Sequence, residues 1–140
     1  MSFNMYLVRH GETYFNKYQR MQGWGNAPLT DKGISDGFAA GERLSNVRFD
    51  AAYSSDLQRA IHTAEFILGR NTQSVDLKTP EQLQQFREQF FGLFEGLPSA
   101  QSAEQIAGMI GPDNIESYGV LMAQLTQHEV MDAFKEPDPT

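Results

Sequence analysis

No cysteine occurs in the chain, which excludes disulfide scaffolds, thiolate zinc sites and cysteine nucleophiles. Histidine is scarce as well. His10, His62 and His128 have no close ligand spacing, so neither a structural nor a catalytic metal site is expected, and no cofactor is called for. Long apolar runs are also missing: Arg9 follows only four consecutive apolar residues, 5–8, which fits neither a secretory signal nor a membrane span. No other stretch does better, so no membrane association is expected and a cytoplasmic protein is the default. Positive charge is the other shortage, since 11 Lys and Arg against 18 Asp and Glu leave a formal net charge of −7. That balance argues against a nucleic-acid surface, whose affinity rests on clustered Lys and Arg neutralising phosphates. Any anionic ligand must meet locally gathered cations, which makes Arg9, Arg59 and Arg87 the basic residues to follow. Internal repeats, low-complexity tracts and linkers are absent.

What is present belongs to a globular protein. Hydrophobic residues make up 40% and charged residues 21%, and 140 residues suffice for one domain burying about two-thirds of its unfolded surface. Residues 5–8 read as a short strand buried on both faces, with a glycine just beyond. Residues 14–29 have no regular period, and Gly23, Gly25, Asn26 and Pro28 mark a loop. Thr30 then looks like an N-cap, with Asp31 in the first turn and Ile34, Phe38 and Leu44 on one helical face. Gly33, Gly37 and Gly41 weaken that helix by about 1 kcal/mol each relative to alanine, yet make a smooth stripe suited to packing on a sheet.

A second strand is expected over residues 49–53, followed by cap chemistry from Ser54-Ser55-Asp56 and a helix burying Leu57, Ile61, Ala64 and Leu68. Residues 75–77 make a weaker strand. Ser102-Ala103-Glu104-Gln105 has a capping-box pattern, another helix is expected over about residues 113–134, and Pro137 and Pro139 read as a stop. The order strand, helix, strand, helix, strand is that of an α/β sheet with crossover connections, whose ligands sit beyond the carboxyl ends of the strands. Arg9-His10 and Ser54-Ser55-Asp56 both fall there.

Leu7-Val8-Arg9-His10-Gly11-Glu12-Thr13 delivers an imidazole and a cation onto a glycine turn, where Gly11 would let the backbone approach a bound anion closely. That stretch, with Asn16, Gln22-Gly23, Pro28-Leu29-Thr30 and Gly33, resembles the N-terminal half of the histidine phosphatase superfamily, in its phosphoglycerate-mutase-like branch. Tyr53-Ser54-Ser55-Asp56-Leu57-Gln58-Arg59-Ala60 continues the resemblance, as does Phe86-Arg87-Glu88-Gln89-Phe90-Phe91-Gly92-Leu93-Phe94-Glu95-Gly96. Together these motifs cover most of residues 5–96. The resemblance implies an α/β, three-layer fold with a mixed, mostly parallel sheet flanked by helices, and a small helical cap over about residues 99–136 of a single domain.

It also implies metal-independent hydrolysis of a small phosphorylated metabolite through a phosphohistidine. His10 would be the nucleophile, Arg9 and Arg59 the forked donors to the phosphoryl oxygens, and Glu88 the general acid. Asn16, Gly11, Thr13, Gln22 and Gly23 would bind the substrate or its phosphate. The charge state of Glu88 stays open, because burial against Phe90 and Phe91 and the charge of Arg9 push it in opposite directions. Without the resemblance, Glu88 reads as a solvated carboxylate paired with Arg87. His62 reads as a surface or partner-packing residue, with the pocket lining that the resemblance allows as the alternative, and His128 as a solvated one; Lys17, Tyr18, Arg20 and Trp24 are available to touch the rest of a substrate.

The resemblance also breaks. Family members carry a second active-site histidine near the C-terminus, on a strand end followed by glycine, and His128 does not match it. The chain is therefore expected to be C-terminally incomplete relative to the family. A phosphoglycerate mutase-type phosphotransferase and a non-catalytic phosphate-binding module remain the alternatives, and an exposed sheet edge would invite homo-oligomerisation.

Overall fold

A computed structural model describes residues 2–110. These fall into two compact units, one made of the segment up to Tyr14 with Asn26–Arg87, the other of Phe15–Gly25 with the chain from Glu88 onward. The fold is α/β, with helices and a small parallel sheet. The chain enters a short helix α1 (Tyr14–Lys17), then α2 (Asp31–Arg43), β1 (Tyr53–Ser54), α3 (Gln58–Arg70), β2 (Glu81–Gln82) and α4 (Ser99–Ile110). Among the described residues no helix is long and apolar enough to cross a membrane. The helix expected over about 113–134, His128 and most of the expected cap lie outside the described residues.

In the first unit, α2 starts where the sequence says it should. Thr30 is extended, and its hydroxyl accepts from the Gly33 amide at 3.1 Å, satisfying one of the helix's orphan donors. The face it buries is not the apolar one. Phe38 is exposed and Ile34 half-buried, whereas Gly33, Gly37 and Gly41 are buried. A Cβ at Gly37 would lie 2.9 Å from the Phe66 ring, and one at Gly41 2.9 Å from the Phe66 carbonyl oxygen, so the stripe admits α3 rather than the expected sheet. The Phe38 and Phe66 rings pack at the edge of that contact, 4.6 Å between centroids, and the Arg70 guanidinium covers Phe38 while pairing with Glu42.

α3 differs from expectation in its cap and its face. Ser54-Ser55-Asp56 does not cap it; Leu57 occupies the N-cap with no side-chain bond, and the Gln58 amide instead donates to Asn26 Oδ1 at 3.1 Å. The buried positions are Arg59, Thr63, Ile67 and Leu68, with Ile61 and Ala64 only half-buried. The helix has turned a polar pair, one turn apart, inward.

α3 connects β1 to β2 as a parallel β-α-β crossover, with Tyr53 opposite Glu81 and Ser54 opposite Gln82. The Glu81 amide donates to the Ala52 carbonyl and the Leu83 amide to that of Ser54, both at 2.8 Å. The strand expected at 75–77 is not formed. Residues 71–77 instead make turns organised by Asn71, whose buried amide donates to the Leu44 and Val47 carbonyls and accepts from the Gln73 and Ser74 amides. The two bonds to Leu44 and Val47, worth about 1 kcal/mol each, tie the end of α2 to the end of α3, and the other two close the turn that follows α3. The strand expected at 5–8 is also not formed: Leu7 is 87% exposed. An apolar run becomes a strand only through a hydrogen-bond ladder, and among the described residues no backbone bond joins 5–8 to a neighbour.

The second unit laces its two segments together through backbone bonds. The Met21 amide donates to the Leu97 carbonyl at 2.9 Å, Gly96 to Met21 at 2.8 Å and Ser99 to Gln19 at 2.8 Å. α4 buries Ser102, Ala103, Ile106 and Ala107. It begins three residues before the apparent capping box. Ser102 therefore lies within the helix, its hydroxyl donating to the Pro98 carbonyl at 3.1 Å instead of capping.

Candidate active site

The loop carrying Arg9, His10, Gly11, Glu12 and Thr13 is held between the start of α2 and the first turns of α3. On the α2 side the approach is backbone to backbone. A Cβ at Gly11 would lie 2.2 Å from the Gly33 carbonyl oxygen, and one at Gly33 would lie 2.1 Å from that of Glu12. Gly11 is thus a glycine because α2 fills the space beside it, and its backbone is not in the left-handed region. The Thr30 amide donates to the Glu12 carbonyl at 2.9 Å, and the Thr30 hydroxyl to Glu12 Oε1 at 2.8 Å. Thr13, fully buried, forms an antiparallel bridge with Leu29.

On the α3 side the contact is a threonine hydroxyl. The Gly11 amide donates to Thr63 Oγ1 at 3.2 Å, and that hydroxyl donates to the Arg59 carbonyl at 2.8 Å. His10, half-buried, closes the arrangement with Nδ1 at 2.7 Å from the Gly11 carbonyl oxygen. A carbonyl only accepts, so Nδ1 carries the proton. In the neutral ring Nε2 then holds the lone pair.

Arg59 is 3% exposed in the first turn of α3. A cation there sits at the electropositive end of the helix, adding to a potential that favours an anion. Arg9 is exposed. Arg87 is neutralised by Asp56 through a two-pronged pair, Nε to Oδ1 at 2.6 Å and Nη2 to Oδ2 at 2.5 Å. Arg87 thus engages Asp56, where Glu88 is the partner expected without the family resemblance.

The Asp56 carboxyl is held below its ordinary range, first by the hydrogen bonds from Arg87 and also by that residue's charge. A carboxyl whose folded-state pKa is depressed contributes stability above its unfolded value and loses that contribution as pH falls through the folded one. The gap in urea midpoint between the wild type and Asp56→Asn is accordingly expected at pH 7. It should narrow as pH falls below about 3.8; a gap unchanged at pH 2.5 would refute the assignment.

The remaining expected residues lie in the second unit. Asn16 is half-buried in α1, and Gln22 is buried. Gly23 has φ +50° and no room for a side chain, since a Cβ would lie 2.2 Å from Glu95 Oε1. Glu95 Oε1 accepts from the Trp24 amide at 2.7 Å, and the Trp24 indole donates to the Glu88 carbonyl at 2.8 Å. Glu88 itself is exposed rather than buried with Phe91, and its carboxylate accepts from the Gln89 amide at 3.0 Å. His62 is exposed beside Phe66.

The first unit thus gathers His10 and Gly11 with the Arg59 backbone through Thr63, a residue the sequence reading passed over. Its four-residue spacing from Arg59 was the available signal. Among the described residues no group of three or more His, Asp and Glu side chains could hold a metal ion.

The first unit thus holds a buried arginine at a helix start, an imidazole bonded to a carbonyl and a tightly packed glycine turn. The family model for the histidine phosphatase superfamily (branch 1) matches residues 5–129, and the chain belongs to that superfamily. Among solved structures, phosphoglycerate mutase from Bacillus anthracis str. Sterne superposes with a TM-score of 0.73 at 35% identity, over 93% of this chain and 55% of that one. Fructose-2,6-bisphosphatase TIGAR B of Danio rerio is 42% identical over 101 residues, 70% of this chain and 38% of the relative. Fructose-2,6-bisphosphatase TIGAR of Xenopus laevis is 43% identical over 100 residues, 71% and 36% respectively. The chain thus spans less than two-fifths of the length of these curated relatives.

Proposed function

We propose that the protein hydrolyses a small phosphomonoester through a phosphohistidine on His10. The observation that carries this reading is the 2.7 Å contact between His10 Nδ1 and the Gly11 carbonyl, which leaves Nε2 as the nucleophilic nitrogen. In the first step an Nε2–P bond forms as the P–O ester bond breaks, and the leaving alkoxide takes a proton from Glu88. In the second, water attacks phosphorus, loses its proton to the Glu88 carboxylate, and the N–P bond breaks to release phosphate. One hard displacement becomes two easier ones.

Arg9 and Arg59 would meet the charge on the transferring oxygens, each such donor being worth about 3 kcal/mol in the transition state. Asn16, Gly11, Thr13, Gln22 and Gly23 would line the substrate or its phosphate. The reading is metal-independent, since guanidinium donors take the role of a cation. The likeness to two fructose-2,6-bisphosphatases favours a sugar bisphosphate as substrate. A cytoplasmic setting, where small phosphorylated metabolites are held, belongs to the same reading. So does association of copies, which the exposed apolar run at 5–8 supports.

The test is incubation with labelled p-nitrophenyl phosphate and with fructose 2,6-bisphosphate, followed by quenching in alkali or in acid. Phosphate release with protein-bound label that survives alkali and is lost in acid is the expected result. Neither release nor label would overturn the reading. The likeness to a phosphoglycerate mutase structure supports a second reading as phosphotransferase, which stimulation by 2,3-bisphosphoglycerate would favour over hydrolysis.

A further inference from the structure

We infer that Thr63 is a positioning residue for His10, acting through Gly11; as a statement about the reaction, this rests on the phosphatase reading above. Thr63 is buried on α3, one turn beyond Arg59. A buried threonine in a helix ordinarily satisfies its hydroxyl by donating to the carbonyl four residues back, and Thr63 does so at 2.8 Å to Arg59. That bond commits the hydroxyl proton and so turns an oxygen lone pair outward. The Gly11 amide meets that lone pair at 3.2 Å, across a long stretch of chain.

The other face of Gly11 is closed by the Gly33 backbone, so the residue is fixed from two directions. Its carbonyl in turn accepts the His10 Nδ1 proton. The hydrogen bonds therefore run from the helix that carries Arg59, through one hydroxyl and one glycine, to the imidazole. Thr63 gives α3 control over both the placement of the turn and the tautomer of the ring, without touching substrate itself.

The experiment compares Thr63→Val, which keeps the shape and deletes both bonds, with Thr63→Ser, which keeps the hydroxyl. Nitrogen chemical shifts of the His10 ring and the exchange rate of the Gly11 amide are read alongside kcat and KM. Expected for Thr63→Val are a mixed His10 tautomer, faster Gly11 exchange, and kcat reduced about tenfold or more at little-changed KM, with Thr63→Ser restoring all of these. Thr63→Val with wild-type tautomer and wild-type Gly11 exchange would overturn the inference. Should that variant fail to fold, the wild type still decides, because a Gly11 amide exchanging as fast as an open loop would overturn it too. A wild type without turnover whose His10 tautomer nevertheless depends on Thr63 would sink the phosphatase reading alone.

Discussion

Replacing His10 with asparagine is expected to lower phosphate release from p-nitrophenyl phosphate by about 10⁴-fold or more, the scale on which loss of a nucleophile acts. Asparagine is the informative substitution because its side-chain amide can occupy the place of Nδ1–H and still donate to the Gly11 carbonyl, which His10 holds at 2.7 Å. The turn is then preserved while the nucleophilic nitrogen is gone. Urea unfolding should therefore match the wild type, and inorganic phosphate should still protect against a competing ligand, since Arg9 and Arg59 are untouched. His10→Ala should be equally inactive but somewhat less stable, having lost the bond to Gly11. Retention of more than about one-hundredth of the wild-type rate by a folded His10→Asn would remove the phosphohistidine from the mechanism.

α2 was legible because its start is written in one residue: Thr30 has an oxygen that its own third neighbour can use, and it does so. Its packing face was misjudged for an equally local reason. Periodicity marks where apolar side chains recur, whereas close helix contact is made where side chains are missing, and Gly37 and Gly41 admit Phe66. The strands could be read only in part: the one expected over 49–53 meets β1 at Tyr53 alone, and β2 was not anticipated. Each has two residues, β2 is the exposed polar pair Glu81–Gln82, and a ladder that short leaves no alternation in the sequence. The apolar run at 5–8 erred in the opposite direction, being a strand by composition and without a pairing partner among the described residues.

For the site, the candidate residues were legible and their mounting was not. Arg9, His10, Arg59 and Glu88 stand out because few residue types can attack phosphorus, hold its oxygens or supply a proton. The residues that fix them are common types placed by tertiary contact. Asp56, expected to cap a helix, instead engages Arg87. Trp24, available to touch a substrate, donates its indole N–H to the Glu88 carbonyl within the second unit. Thr63 could have been inferred from its four-residue spacing to Arg59, but only once α3 was known to bury that face.

The same mounting makes Gly11→Ala the second severe substitution, and for a reason separate from chemistry. The added methyl would sit 2.2 Å from the Gly33 carbonyl oxygen, roughly 1 Å inside contact distance. The obstruction is backbone, in the first turn of α2, so no rotamer change relieves it. Either the turn or the helix start must move by about that amount. Overpacking of this kind costs about 1–3 kcal/mol where side chains can yield, and the upper end or more is expected here.

The displacement also acts on the hydrogen bonds that Gly11 makes to Thr63 and to His10. A shift of about 1 Å in a reacting group costs on the order of 100-fold in rate, so activity should fall in the fraction that remains folded. Gly33→Ala presses on the same contact from the other side, against the Glu12 carbonyl oxygen, and should reproduce both effects. Because one displacement relieves both clashes, the double variant should be less destabilised than the sum of the singles. Additive losses would mean that the two glycines answer to different constraints, and a Gly11→Ala protein with wild-type stability and rate would mean that the turn is not held against α2 at all.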